Sequence, residues 1–238
     1  MPEKVLGVIQ NLLTGIFARL TMARQERSER TMERLVVAAA DQFAAQGFVK
    51  ASLADVSRSA GVTKGALFFH FSTKDELADA VLTRAQDVLD TMVEELSDAE
   101  PASLQVVVDV THALNRLLRD NAFVRASVRI TRERMSGRPA PLDFYSLWLG
   151  RLWKLLDEAR LKGELGRSVA DASARTMVTA AVSGVETLTW MQVSRTETEK
   201  WLIDLWALVL PLLRVEGAEQ TVRTAAPCEA VPQLETGR

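Results

Sequence analysis

Residues 52–77 read SLADVSRSAGVTKGALFFHFSTKDEL, and this run encodes two short helices, the tight turn between them and the start of a third helix. Ser52 is an N-cap residue ahead of the apolar stripe Leu53, Val56 and Ala60. Gly61 supplies the left-handed backbone conformation that ends a helix without a Cβ clash. Thr63 caps a second helix over 64–71, whose first turn, Lys64, Gly65 and Ala66, forms a basic tip with small side chains. A tip of that shape fits a DNA major groove, where a lysine ammonium reaches guanine O6 or N7. After Ser72 or Thr73 the third helix runs without Gly or Pro to Leu96, with Asp75 and Glu76 in the first turn, where the helix dipole favours carboxylates.

Upstream, Met32, Leu35, Val36, Ala39, Ala40, Phe43 and Ala44 trace one helical face over 28–46, stopped by Gly47. With Phe48, Leu53, Val56, Leu67 and Phe71, residue Phe43 is predicted to form a small core beneath the helix-turn-helix. Residues 1–21 carry a further apolar stripe from Val5 to Leu20. Three readings of it stand: an extension ahead of a start at Met22, an extra helix that docks on the protein or a partner, or a signal peptide, the last disfavoured because Gln10 and Asn11 interrupt the apolar run.

The segment VTKGALFFHFSTKDEL at 62–77, together with MARQERSERT and AAADQFAAQGF upstream, resembles the tetracycline-repressor (TetR) family, and within it the γ-butyrolactone autoregulator receptor branch. The resemblance implies an all-α, TetR-like fold: an uncertain extension at 1–21, a three-helix DNA-binding domain at 22–77, a helical ligand-binding and dimerisation domain at 78–214, and a tail at 215–238. It further implies a homodimeric, ligand-responsive repressor on a palindromic operator. DNA contacts are expected from Thr63, Lys64, Gly65, Ala66, His70 and Lys74. Arg24, Arg27 and Arg30 lead into the first helix as a basic arm, or as a solvated one, since Glu26 and Glu29 dilute them. Position 68 is Phe where the family usually has Tyr, so that hydroxyl's phosphate contact is missing here. Trp148 falls where autoregulator receptors carry a tryptophan that packs on the lactone; the alternative is a core tryptophan.

Beyond SDAEPA at 97–102 every apolar pattern is helical, over 103–120, 122–131, 142–161, 169–193 and 198–213, with a Gly/Pro-rich loop at 136–141. No window alternates with the period of a half-buried strand. Trp153, Trp190, Trp201 and Trp206 read as core or dimer interface. Arg125, Arg129, Arg132, Arg134 and Arg138 read as a solvated face, or as a binding patch for an acidic effector. Pro211 is expected to kink or thin the end of the last helix. Residues 215–238 are polar and aperiodic, and are read as disordered.

The chain has 238 residues, 47% of them hydrophobic, and a formal net charge of −2, so it can build a core but has no global attraction to nucleic acid. Between 22 and 80 eight basic residues face eight acidic ones; affinity for DNA must come from their placement, because phosphate attraction fades over roughly 8–10 Å. The single cysteine, Cys228, and two histidines, His70 and His112, rule out a disulfide within the chain, give no metal-ligand spacing and fit a reducing, cytoplasmic setting. No cofactor, metal or membrane span is expected, and no catalytic constellation assembles from the motifs. The remaining alternatives are a related regulator that answers to an antibiotic or an intermediate rather than a lactone, and an all-helical adaptor or membrane-peripheral protein using the 5–20 stripe.

Overall fold

Helix α1 (Pro2–Gln46) is continuous, because residues 16–46 contain neither Gly nor Pro to break it. The computed structural model describes residues 2–134, 144–215 and 221–227, with backbone alone for 2–21 and 144–147. Cys228, Arg138 and the 136–141 loop lie outside the described residues. Arg24 and Arg27 therefore sit on a helix that continues to Pro2, not on an extended arm; Arg27 Nε donates to Ala23 O at 3.1 Å, the preceding turn of that helix.

Eight more helices follow among the described residues: α2 (Leu53–Ser59), α3 (Lys64–His70), α4 (Lys74–Ala99), α5 (Ser103–Asp120), α6 (Ala122–Arg134), α7 (Phe144–Leu161), α8 (Asp171–Trp190) and α9 (Arg195–Leu213). Pro211 lies in the final turn of α9, just ahead of its end. The one non-helical pairing found there is an antiparallel bridge between Leu165 and Arg214.

Two cores share α4. Leu77, Ala78, Val81 and Leu82 join Leu35, Phe43, Val56, Leu67 and Phe71 beneath the helix-turn-helix, where Ala126 and Ile130 of α6 also pack; Ala85, Leu89, Met92 and Leu96 join the core of α5 and α7–α9. Phe48 and Leu53 flank the first core, half-buried. The expected boundary at residue 77 thus falls inside a core, and α4 is a shared beam between the two regions.

Three of the arginines of α6 reach across to other helices. Arg129 donates to Ala44 O and Ala45 O at 2.9 and 2.8 Å and so caps the end of α1. Arg134 reaches Asp79 at 2.6 Å and Asp75 at 2.8 Å, at the start of α4. Arg132 pairs with Glu186 of α8 at 3.4 Å, and both Arg129 and Arg132 lie over the Trp190 ring. Helix α6 therefore ties the first region to the second by charge-assisted bonds to helix ends.

Gly47 ends α1 with φ +85, and a Cβ there would lie 2.1 Å from Glu133 Oε1. The Glu133 carboxylate occupies that space because it accepts the Val49 N–H at 2.6 Å. Gly47→Ala combines left-handed strain with loss of a charge-assisted bond, so we expect destabilisation of about 2–4 kcal/mol, measured by urea unfolding.

Part of the tail is ordered. Residues 221–227 lie against α5, with Val222 on the core and Arg223 paired with Glu100 and with Asp109 at 3.1 Å. The physical reason is a row of polar side chains on α5, Gln105, Asp109, His112 and Asn115, all buried, whose bonding capacity the tail and α9 satisfy. His112 Nε2 faces Thr224 O at 2.9 Å, a pure acceptor, so that nitrogen carries a proton; Nδ1 lies 2.7 Å from Glu199 Oε1. Burial raises the Glu199 carboxyl, but bonds from His112 and Asn115 and the charges of His112 and Arg116 outweigh it and hold it below its ordinary value of 4.5. A carboxyl depressed on folding stabilises the fold above its unfolded pKa, and that contribution is lost as pH falls through the folded value. The stability gap between the native chain and Glu199→Gln should therefore shrink on acidification below about pH 4.5; thermal melts from pH 7 to pH 3 check it.

Candidate nucleic-acid interface

Each helix of the 52–77 segment starts on a side-chain cap, two of them, Ser52 and Thr63, as the sequence specifies. Ser52, Thr63 and Thr73 have extended backbone and accept from Asp55 N, Ala66 N and Glu76 N at 3.1, 3.2 and 3.1 Å. Glu76 returns a carboxylate oxygen to Ser72 N at 2.8 Å, closing a reciprocal cap at the head of α4. The turn between α2 and α3 bends at Gly61, φ +62. Arg34 of α1 donates to the Ala60 and Gly61 carbonyls, at 2.5 and 3.3 Å, and a Cβ on Gly61 would meet its Nη2 at 2.8 Å. This brace was not anticipated, because nothing local to Arg34 marks it.

The first turn of α3 stands clear of the protein. Thr63, Lys64 and Gly65 are exposed and Ala66 is half-buried, while Leu67 anchors the helix in the core. A Cβ on Gly65 would find only Thr63 Oγ1, at 4.0 Å. The fold does not require a glycine there, and glycine within a helix costs about 0.5–1 kcal/mol against alanine. Lys64 Nζ sits 5.7 Å from the centre of the Phe68 ring, one turn on, which holds the ammonium over an exposed face. Phe69 is 77% exposed and meets His70 edge-on at 5.2 Å. Position 68 presents a bare ring, 45% exposed.

Lys74 differs from expectation. Its ammonium donates to Val49 O at 3.0 Å and lies 4.7 Å over the Phe48 ring, so in this structure it serves the turn after α1 and is not free. Burial lowers its pKa against the opposing pull of Asp75 and Glu133. Arg134 stacks near the same Phe48 ring at 5.0 Å. Sequence spacing placed Lys74 at a helix start but gave no sign of this competing partner.

In the second region Trp148 is buried, 1% exposed, within the core of α5, α7, α8 and α9. Its Nε1 finds no acceptor among the described residues, whereas Trp206, equally deep, donates to Thr111 Oγ1 at 2.9 Å. Trp153 is half-buried, while Trp190 and Trp201 are exposed. So are Leu208 and Leu212, which continue the Trp201 face of α9. Beside that face, Thr176, Ala180 and Thr187 of α8 are exposed and small, and a Cβ on Gly184 would meet nothing within 4 Å. A face of this kind is shaped to lie close against another helix.

No helix among the described residues is long and apolar enough to cross a membrane, and they hold no cluster of metal-ligating groups. A capped helix-turn-helix with an exposed basic tip, joined by one long helix to an all-helical second region, is the layout of a DNA-binding transcriptional regulator.

Comparison with known proteins agrees. Residues 35–81 match the model for bacterial regulatory proteins of the tetR family. The A-factor receptor protein of Streptomyces griseus is 28% identical over 197 residues, 82% of this chain and 68% of that protein. A solved structure described as the molecular basis for control of antibiotic production by bacterial hormones is 30% identical, with a TM-score of 0.69, covering 78% of this chain and 98% of that one. A γ-butyrolactone receptor described as ArpA-like is 26% identical at TM-score 0.62, over 79% and 90% of the two chains. Further relatives align over 31% to 53% of their own length. The chain belongs to the TetR family of DNA-binding transcriptional regulators. Within that family it falls in the butyrolactone receptor branch.

Proposed function

We propose that this chain is a homodimeric repressor that grips a roughly palindromic operator with two copies of α3 and lets go when a small effector of γ-butyrolactone type enters the second region beside Trp148. The observation that carries the reading is the exposed Lys64-Gly65 tip, rigidly capped and without a role in the fold. Lys64 reads a guanine, Gly65 and Ala66 admit the backbone to the groove, and Thr63 and His70 meet phosphates. Lys74 reaches a phosphate only by leaving Val49 O, and Arg24 and Arg27 approach the duplex from a helix rather than a loose arm.

Two copies are needed because one seven-residue helix covers a single half-site, and the exposed α8–α9 face supplies a self-complementary surface. Support for the effector comes from the butyrolactone receptors among the relatives and from Trp148, whose buried N–H has no described acceptor. An unsatisfied buried donor costs about 1–3 kcal/mol, which a lactone carbonyl relieves on entry. Release then requires that the effector bind the DNA-incompetent arrangement more tightly than the DNA-bound one.

The test is selection of duplexes from a random pool, followed by footprinting on the winner. Two protected half-sites related by a dyad are the expected result, and binding without sequence preference refutes it. Adding a synthetic γ-butyrolactone to that complex should release the DNA; release by an antibiotic and by no lactone replaces the effector part of the reading.

A further inference from the structure

We propose that the buried polar face of α5, together with Glu100, is a peptide-recognition site for an extended, arginine-bearing segment, and that its resident ligand is the chain's own residues 222–224, held as a releasable latch. The site is built for backbone as well as side chain. The Gln105 carboxamide makes a two-point contact with residue 223, accepting its N–H at 2.6 Å and donating to its carbonyl at 3.3 Å. His112 Nε2 takes the next carbonyl, that of Thr224, at 2.9 Å. The Arg223 guanidinium is shared between Glu100 and the fully buried Asp109, whose other oxygen is fixed by Gln105 Nε2 at 2.9 Å. Gln105 Nε2 is tied to Asp109 at 2.9 Å and His112 Nδ1 lies 2.7 Å from Glu199, contacts that do not involve the segment and pre-set both side chains for it.

The balance of forces marks this contact as detachable. Within 222–224 only Val222 adds apolar packing to the main core; the rest is hydrogen bonding and one guanidinium between two carboxylates, so the segment is held by polar contacts rather than by a shared apolar core. Helices α5 and α9 keep their own packing through Leu104, Val107, Leu114, Leu202 and Trp206. The latch also has a defined point of action, because Glu100 is the C-cap residue of α4 and Asp109 lies on α5. One side chain thus pins the end of the shared beam to the second region.

The experiment uses the full chain and its Arg223→Ala variant. Amide hydrogen exchange should show 221–227 protected in the native chain and exchanging like an unstructured peptide in Arg223→Ala, with α5 and α9 protected in both. A fluorescent peptide of sequence TVRTAAP should bind Arg223→Ala roughly tenfold or more tightly than the native chain, whose own segment competes, and replacing the peptide's arginine with alanine should abolish binding. Adding Gln105→Ala to Arg223→Ala should weaken the peptide as well. Free exchange of 221–227 in the native chain overturns the proposal. So does failure of the peptide to bind Arg223→Ala, or loss of protection in α5, which would make the segment structural glue rather than a latch.

Discussion

Leu208→Asp combined with Leu212→Asp should yield a folded monomer that has lost specific operator binding. Both leucines are about 70% exposed in the single chain, so charges there cost the subunit little and helix content should hold, while the melting temperature falls by the dimer's contribution. Between two chains the same positions would bury four carboxylates against one another, which desolvation forbids. Tethering two half-site readers multiplies avidity by roughly a hundredfold or more, so operator affinity should fall by about that factor. Light scattering at micromolar concentration and an operator titration check the two parts separately. A dimer that survives both charges places the interface elsewhere and removes the basis for a dyad-symmetric site.

Lys64→Ala should weaken specific binding by about 1–3 kcal/mol while leaving affinity for random duplex nearly as it was. Among the described residues the side chain meets only the Phe68 ring, so the fold should not register its loss. Gly65→Ala gives the complementary result. The structure has room for the methyl group, and replacing a helical glycine should raise stability by up to about 0.5–1 kcal/mol. In the proposed complex the same methyl stands where the duplex comes close, and specific binding should drop. A variant that is more stable yet binds worse separates a recognition role from a structural one; unchanged binding in both variants would move the reading helix away from α3.

The helix-turn-helix was legible because its determinants are local. Ser52, Thr63 and Thr73 cap within three residues of themselves, and Gly61 sets one backbone angle. The apolar stripes of α4–α9 gave element type, with ends displaced by a few residues. What escaped depends on partners far apart in the chain. Arg34 on the α2 carbonyls, Arg129 and Arg134 on α1 and α4, and Arg223 in the α5 row each act across 26 or more residues. A lone arginine carries no period, so such ties are invisible to pattern reading. Trp148 was placed by resemblance alone, and its burial adds the missing acceptor as an independent reason to watch it.

The cap that Arg129 places on the Ala44 and Ala45 carbonyls bears on engineering. Exchanging DNA-binding modules between such regulators at a junction near residue 77 would leave the last turn of the transplanted first helix without its donor and Gly47 without the carboxylate beside it. A chimera cut there inherits specificity but a frayed joint; one that carries residues 122–134 along with the module keeps the hinge hardware intact.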